Sequence, residues 1–247
     1  SSYSDGKFTT NTQAPLNLDW DLWLGPATER PYSEGVHPST WRNFWDYGNG
    51  RLGDFGCHYM DLAHWALNLR QPTRIETEGP EVESVTTPRH LKVDYYHPAI
   101  EKRSPVHLTW YGNRTPDIVK TLKDSNGKPL NFGSGQLFVG EKGMIISNYG
   151  EHRLLPESTY KEFERPDEFI PNSIGHHKEW TEAIRNGGNT TCNFDYAGAL
   201  TETVLLGSVS YRSGEDIDYI PETATTRKSG KARHMLHTEY REVWEVE

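Results

Sequence analysis

The sequence predicts an α+β domain: helices on one face of a large, open, mostly antiparallel (mixed) sheet. Three observations carry this expectation. A segment with helical spacing lies early in the chain, short alternating segments fill its middle, and further helical segments follow them.

In chain order, residues 1–15 are polar and rich in Ser and Thr, and read as a flexible lead-in or a former linker. Residues 16–247 are then one domain. From Leu16 to Gly50 the text is rich in Trp, Pro and Gly, with no sustained period. It reads as an ordered, aromatic-anchored loop region, the kind of segment that often carries function. A helix over 53–68 follows, ending near Asn68 with Pro72 beyond. The runs 74–78, 91–95, 106–110, 136–139 and 144–147 read as strands, with 152–155 as a short sixth. Glu141-Lys142-Gly143 makes the turn between two of them. Residues 111–135 are polar and Gly-rich and read as a surface loop. Helices return over 174–185 and 196–212, the second with Asp195 as N-cap and Gly214 at its C-terminal end. Its inner stripe is Leu200, Val204, Gly207 and Tyr211. A last strand over 216–220 precedes a terminal amphipathic helix over 231–243, with Leu236, Tyr240 and Val243 aligned.

The 247 residues are enough to bury a substantial core. Net charge is −9, and no basic stripe is interleaved with aromatics, so nucleic acid is not an expected partner. No apolar run reaches the roughly 18 residues of a membrane span. No signal peptide is present, and Ser1 is not a natural start, so the chain reads as a processed or excised product. The compartment stays open between cytoplasm and periplasm. Two cysteines, Cys57 and Cys192, do not make a disulfide framework. The 8 Trp and 13 Tyr suit sugar rings as well as a core.

Asp54 and His58 are the candidate chemical pair. Their spacing puts them one helical turn apart on one face, and Asp61 and Trp65 continue that stripe. The neighbouring stripe, Phe55, Tyr59, Leu62 and Ala66, is apolar enough to pack on a core. A carboxylate one turn from an imidazole can orient it and raise its basicity, which suits proton transfer. A satisfied structural His–Asp pair has the same spacing, so both readings stand. No strand–Gly-x-Gly-x-x-Gly–helix unit, P-loop, Gly-x-Ser-x-Gly elbow or Cys-x-x-Cys pair occurs. Cys57, His58, His64, His176 and His177 are poor zinc chelates, because adjacent residues of a helix point apart, and no metal is expected.

The stretch Gly53-Asp54-x-Gly56-Cys57-His58, with Asp61 and Trp65, resembles the catalytic helix of the Gfo/Idh/MocA (glucose–fructose oxidoreductase/inositol dehydrogenase) family. The longer text Leu18-Asp19-Trp20-Asp21-Leu22-Trp23-Leu24-Gly25-Pro26 and Trp41-Arg42-x-x-Trp45-Asp46-Tyr47-Gly48 is similar to a bacterial subgroup common in planctomycetes. So are 137–143, Gly175-His176-His177-x-Glu179-Trp180 and Asn193-Phe194-Asp195-Tyr196-Ala197-Gly198.

The resemblance implies a C-terminal substrate domain whose N-terminal Rossmann partner, the binder of NAD or NADP, is absent from this chain. No cofactor-binding residue is therefore expected here, nor the family's Glu-Lys-Pro motif. The isolated chain is not expected to act as a dehydrogenase. The resemblance further implies that His58 is the acid/base toward a sugar or polyol hydroxyl and that Asp54 orients it. His37, Arg42, Trp45, Asp61 and His176 become candidate substrate contacts. A homo-oligomer through an exposed sheet face is also implied. Two other classes compete: a stand-alone carbohydrate-binding or assembly module, and a cofactor-independent lyase or epimerase acting on keto sugars.

Overall fold

A computed structural model describes residues 13–245. The chain divides into two compact units. One holds the chain up to Arg114 and again from Leu200 onward, and the other is Thr115–Ala199. In the first lie α1 (Trp20–Leu24), a 3-10 turn (Thr40–Asn43), α2 (Gly50–Ala66), β1 (Arg74–Glu78), β2 (Leu91–His97) and β3 (Val106–Gly112). The second contains α3 (Asp117–Thr121), β4 (Gln136–Val139), β5 (Met144–Ser147), β6 (His152–Leu155) and α4 (His176–Asn186). Helix α5 (Phe194–Ser213) runs across the division, and β7 (Ile217–Ile220), β8 (Thr225–Thr226) and α6 (Lys231–His234) complete the first unit.

The chain is α+β. Five strands form one open sheet in the order β3-β2-β1-β7-β8, and β4-β5-β6 form a second. Every strand pair is antiparallel. Alternation divides the five-stranded sheet into two chemically different faces. Ile75, Leu91, Val93, Tyr95, Ile217 and Tyr219 are buried on the inner face. Helix α5 covers that face: the Tyr95 hydroxyl reaches Val204 O at 3.5 Å, and the Tyr219 hydroxyl donates to Glu202. The outer face is polar. Asp94 there is bonded by Lys92 (2.7 Å), His107 (2.8 Å) and Thr109 (2.6 Å), and Arg74 bridges Glu76 and Asp218. Burial works against the Asp94 charge, yet these three donors prevail and hold its carboxyl below its ordinary pKa.

Helix α2 crosses α5 where both present glycine. A Cβ on Gly56 would lie 2.7 Å from Val204 Cγ1, and one on Gly207 would overlap the Tyr95 hydroxyl and come within 2.9 Å of Leu52 Cδ2. The buried stripe of α2 is therefore Leu52, Gly56, Met60 and His64. This corrects the expectation that Phe55, Tyr59, Leu62 and Ala66 pack inward: none of those four is buried. The physical reason is close approach. Glycine lets the partner helix in, so the packing face is not the most hydrophobic one.

Other boundaries differ for local reasons. Helix α2 begins at Gly50, whose φ of 62 suits glycine, three residues before the expected start. Helix α5 is capped by Asn193, whose Oδ1 accepts the Tyr196 N–H at 3.2 Å, so Asp195 falls inside the first turn. The segment 111–135 contains α3 and sends Leu122 and Leu130 into the core of the second unit, beside Ile146 and Leu155. The expected helix over 231–243 shrinks to the four residues of α6, with a 3-10 turn at Glu242–Trp244. Tyr240 and Val243 are exposed, so that stripe gains no packing, and a short helix without packing is not stable in water.

Candidate functional site

Because α2 buries the Leu52–His64 stripe, its opposite side is open, and Asp54, His58, Asp61 and Trp65 lie there. Asp54 and Asp61 are half-buried, while His58 and Trp65 are exposed. The His58 ring is 6.1 Å from the Phe55 ring, and Phe55 is also 6.1 Å from Tyr59.

The loop before α2 supplies the partner that the spacing alone does not show. The Trp41 N–H donates to Val36 O at 2.8 Å and the Phe44 N–H to Trp41 O at 3.0 Å, forming the 3-10 turn. Gly48 packs on the backbone of Arg42, where a Cβ would lie 2.9 Å from the Arg42 Cα. So positioned, Arg42 Nε donates to Asp54 Oδ2 at 2.9 Å, and its Nη1 reaches Ser39 O at 3.3 Å. Its guanidinium lies 4.4 Å from the centroid of the Trp41 ring. Arginine presents donors along a rigid planar edge, so it holds a carboxylate in a fixed orientation.

The remaining candidates have distinct settings. His37 is half-buried and meets Trp23 edge-on at 6.2 Å. Trp23 in turn stacks on Trp20 at 4.8 Å and contacts Tyr47 at 4.9 Å. Trp45 is buried: its indole N–H donates to Glu83 O at 3.0 Å and its ring lies 6.2 Å from Tyr211, so this side chain serves packing. His176 starts α4 in the other unit, exposed, its ring 4.1 Å from that of His177.

Buried titratable groups lie behind the open face. His64 and His97 meet edge-on at 5.5 Å. Burial depresses the His64 pKa to about 4, and burial together with the neighbouring His64 depresses that of His97 to about 3. Both are neutral imidazoles near pH 7. Sequence reasoning treated His64 only as a poor zinc ligand; its place one turn beyond Met60 in the buried stripe was the available signal. Burial also raises the Cys57 thiol pKa, and its Sγ is 3.8 Å from Thr201 Oγ1, so it is a packed thiol and not a poised nucleophile.

Among the described residues no group of three or more His, Cys, Asp or Glu side chains could hold a metal ion. No described helix is long and apolar enough to cross a membrane. Among the described residues no strand is followed by a glycine-rich turn and a helix that would cradle a dinucleotide pyrophosphate, so these residues do not fit a nicotinamide dinucleotide. They offer an oriented carboxylate, an accessible imidazole, a second carboxylate and an exposed indole in a row.

No curated protein matches the chain. Residues 3–99 match the family model described as oxidoreductase family, C-terminal alpha/beta domain, of the Gfo/Idh/MocA group. That stretch holds α2 with Asp54 and His58, the Arg42 turn, β1 and β2, and over it the chain is similar to the C-terminal alpha/beta domain of the Gfo/Idh/MocA oxidoreductases.

Proposed function

We propose that this chain is the substrate domain of an NAD(P)-dependent sugar or polyol oxidoreductase, with His58 as its proton-transfer group. The observation that carries the reading is the Arg42–Asp54 pair, one helical turn from an exposed His58 on the open side of α2. Arg42 fixes the Asp54 carboxylate. That carboxylate sets the local field and the hydrogen-bonding pattern in which His58 takes a hydroxyl proton from the substrate. Half-buried Asp61 adds an acceptor for a second hydroxyl. Bound to a separate nucleotide domain, a nicotinamide would supply the hydride acceptor; this chain's part is to hold the carbinol and move its proton.

The test uses the full-length protein with NAD and with NADP against a panel of sugars and polyols. Reduction of nicotinamide that disappears in His58→Ala, with nucleotide affinity retained, supports the reading. Undiminished turnover in His58→Ala removes the acid/base assignment. Turnover of keto sugars without nicotinamide would instead favour a lyase or epimerase.

A second reading, an assembly module, is favoured by the polar outer face of the five-stranded sheet. Its Arg74, Glu76, Lys92, Asp94 and Asp218 offer both signs of charge to a second copy. Self-association there would be polar and salt-sensitive. Sedimentation at low and high salt tests it, and a monomer under both conditions removes it.

A further inference from the structure

We propose that Trp65 is a stacking subsite for a second sugar ring, so that the substrate class is a glycoside with two rings. The inference rests on the reading of His58 as the proton-transfer group. Trp65 is 56% exposed, although a side chain of this size ordinarily gains by burial. It stands on the same stripe as Asp54, His58 and Asp61, two helical turns beyond His58.

The end of α2 that carries it is anchored. His64 and Leu69 on either side are buried, the Leu69 N–H donates to His64 O at 2.8 Å, and Asn68 turns the chain with a φ of 47. The indole is therefore presented outward from a rigid support, which lowers the entropy lost on binding.

Distance selects the ligand. Seven residues of helix rise about 10 Å. A single pyranose with its reacting hydroxyl at His58 ends short of Trp65, whereas the next ring of a glycoside reaches it. The apolar C–H face of that ring lies on the electron-rich indole face. Asp61, between the two, has its carboxylate where hydroxyls of either ring can donate. Trp65 touches no reacting atom, so its role is specificity.

The experiment is calorimetric titration of the full-length protein with cellobiose, maltose and lactose, each compared with the matching methyl glucoside or galactoside. The proteins are wild type, Trp65→Ala, Trp65→Phe and His58→Ala. At least one disaccharide is expected to bind roughly tenfold more tightly than its single-ring counterpart, the margin one stacking contact supplies. Trp65→Ala should abolish that margin and leave single-ring affinity unchanged, and Trp65→Phe should keep most of it. No margin in the wild type, or an equal margin in Trp65→Ala, overturns the inference. Loss of single-ring binding in Trp65→Ala overturns it too, since it would mark Trp65 as a docking contact for another protein domain. Nicotinamide reduction separates the two ideas. If single-ring sugars are oxidised in Trp65→Ala but not in His58→Ala, and the margin is absent, only the subsite fails. If no sugar is oxidised at all, the proton-transfer reading fails, whatever the margin.

Discussion

Arg42 Nε lies 2.9 Å from Asp54 Oδ2, joining the aromatic loop to the second turn of α2. Both side chains are about one-third exposed, 33% and 32%, so solvent screens the pair and it contributes at most about 1 kcal/mol to stability. Its larger consequence is positional, because it fixes a carboxylate one turn from His58.

Arg42→Ala should therefore lower kcat clearly while moving the melting temperature by no more than about 4 °C. KM should change less than kcat, since the residue acts through Asp54. Arg42→Lys keeps the charge but not the rigid donor edge and should recover part of the rate. Steady-state kinetics beside a thermal melt decides this: a loss in melting temperature that accounts for the lost activity would make the pair structural only.

A second prediction concerns the helix crossing. Gly56→Ala puts a Cβ 2.7 Å from Val204 Cγ1 and should cost about 1–3 kcal/mol by overpacking. Val204→Ala opens room at the same point, so the double variant should be more stable than the sum of the two single losses predicts. A double-mutant cycle by urea denaturation measures the coupling, and strict additivity would show that α2 and α5 do not meet there.

These residues also show how much the sequence discloses. Strands β4, β5 and β6 have the expected bounds, because alternation and the Glu141-Lys142-Gly143 turn are local signals that set register. The helix carrying Asp54 and His58 was legible for the same reason. Its buried face was not. Hydrophobic spacing points to Phe55 and Tyr59, while the structure buries Gly56 and His64, whose value depends on what α5 and β2 bring against them. The Arg42–Asp54 pair was equally hidden, since a loop with no period carries Arg42 back over twelve residues. The segment after α6 was not legible either, because its apolar stripe finds nothing to pack on: Tyr240 and Val243 stay exposed.

The third prediction is a pH dependence. His64 and His97 are 1% and 2% exposed, so both rings are shut away from solvent. Asp61, Arg70 and Arg103 are the charged groups that act on the pair. Folding lowers both pKa values, from 6.5 to about 4 and about 3. Below about pH 6.5 the unfolded chain takes up protons that the folded chain refuses, so stability falls as pH drops. The fall continues to the folded values near 3 to 4 and then levels. For His64 alone it amounts to about 3 kcal/mol at pH 4. His97→Leu removes one titrating group, so its urea midpoint should drop less than that of the wild type between pH 7 and pH 4.5. Equal drops would mean that His97 does not stay neutral in the fold.

The last prediction follows from Arg241. Its Nη1 bonds Asp21 Oδ1 at 2.6 Å, and its Nη2 and Nε bond Gly25 O at 2.6 and 3.0 Å. The Arg241 N–H donates to Pro26 O at 3.3 Å. These donors hold the C-terminal end of α1, a five-residue helix too short to persist unaided. Trp23 of α1 contacts both His37 and Tyr47, which flank the turn bearing Arg42. Arg241 thus supports the helix whose Trp23 packs on both flanks of the Arg42 turn. Arg241→Met keeps the apolar stem and removes the donors, so amides around Asp21–Gly25 should exchange with solvent faster while the β1–β2 amides keep their protection. Turnover should fall as well, although no reacting group is altered. Hydrogen exchange read by mass spectrometry separates the outcomes: unchanged exchange over α1 would mean that Asp19 capping and the Trp20–Trp23 stack hold the loop without Arg241.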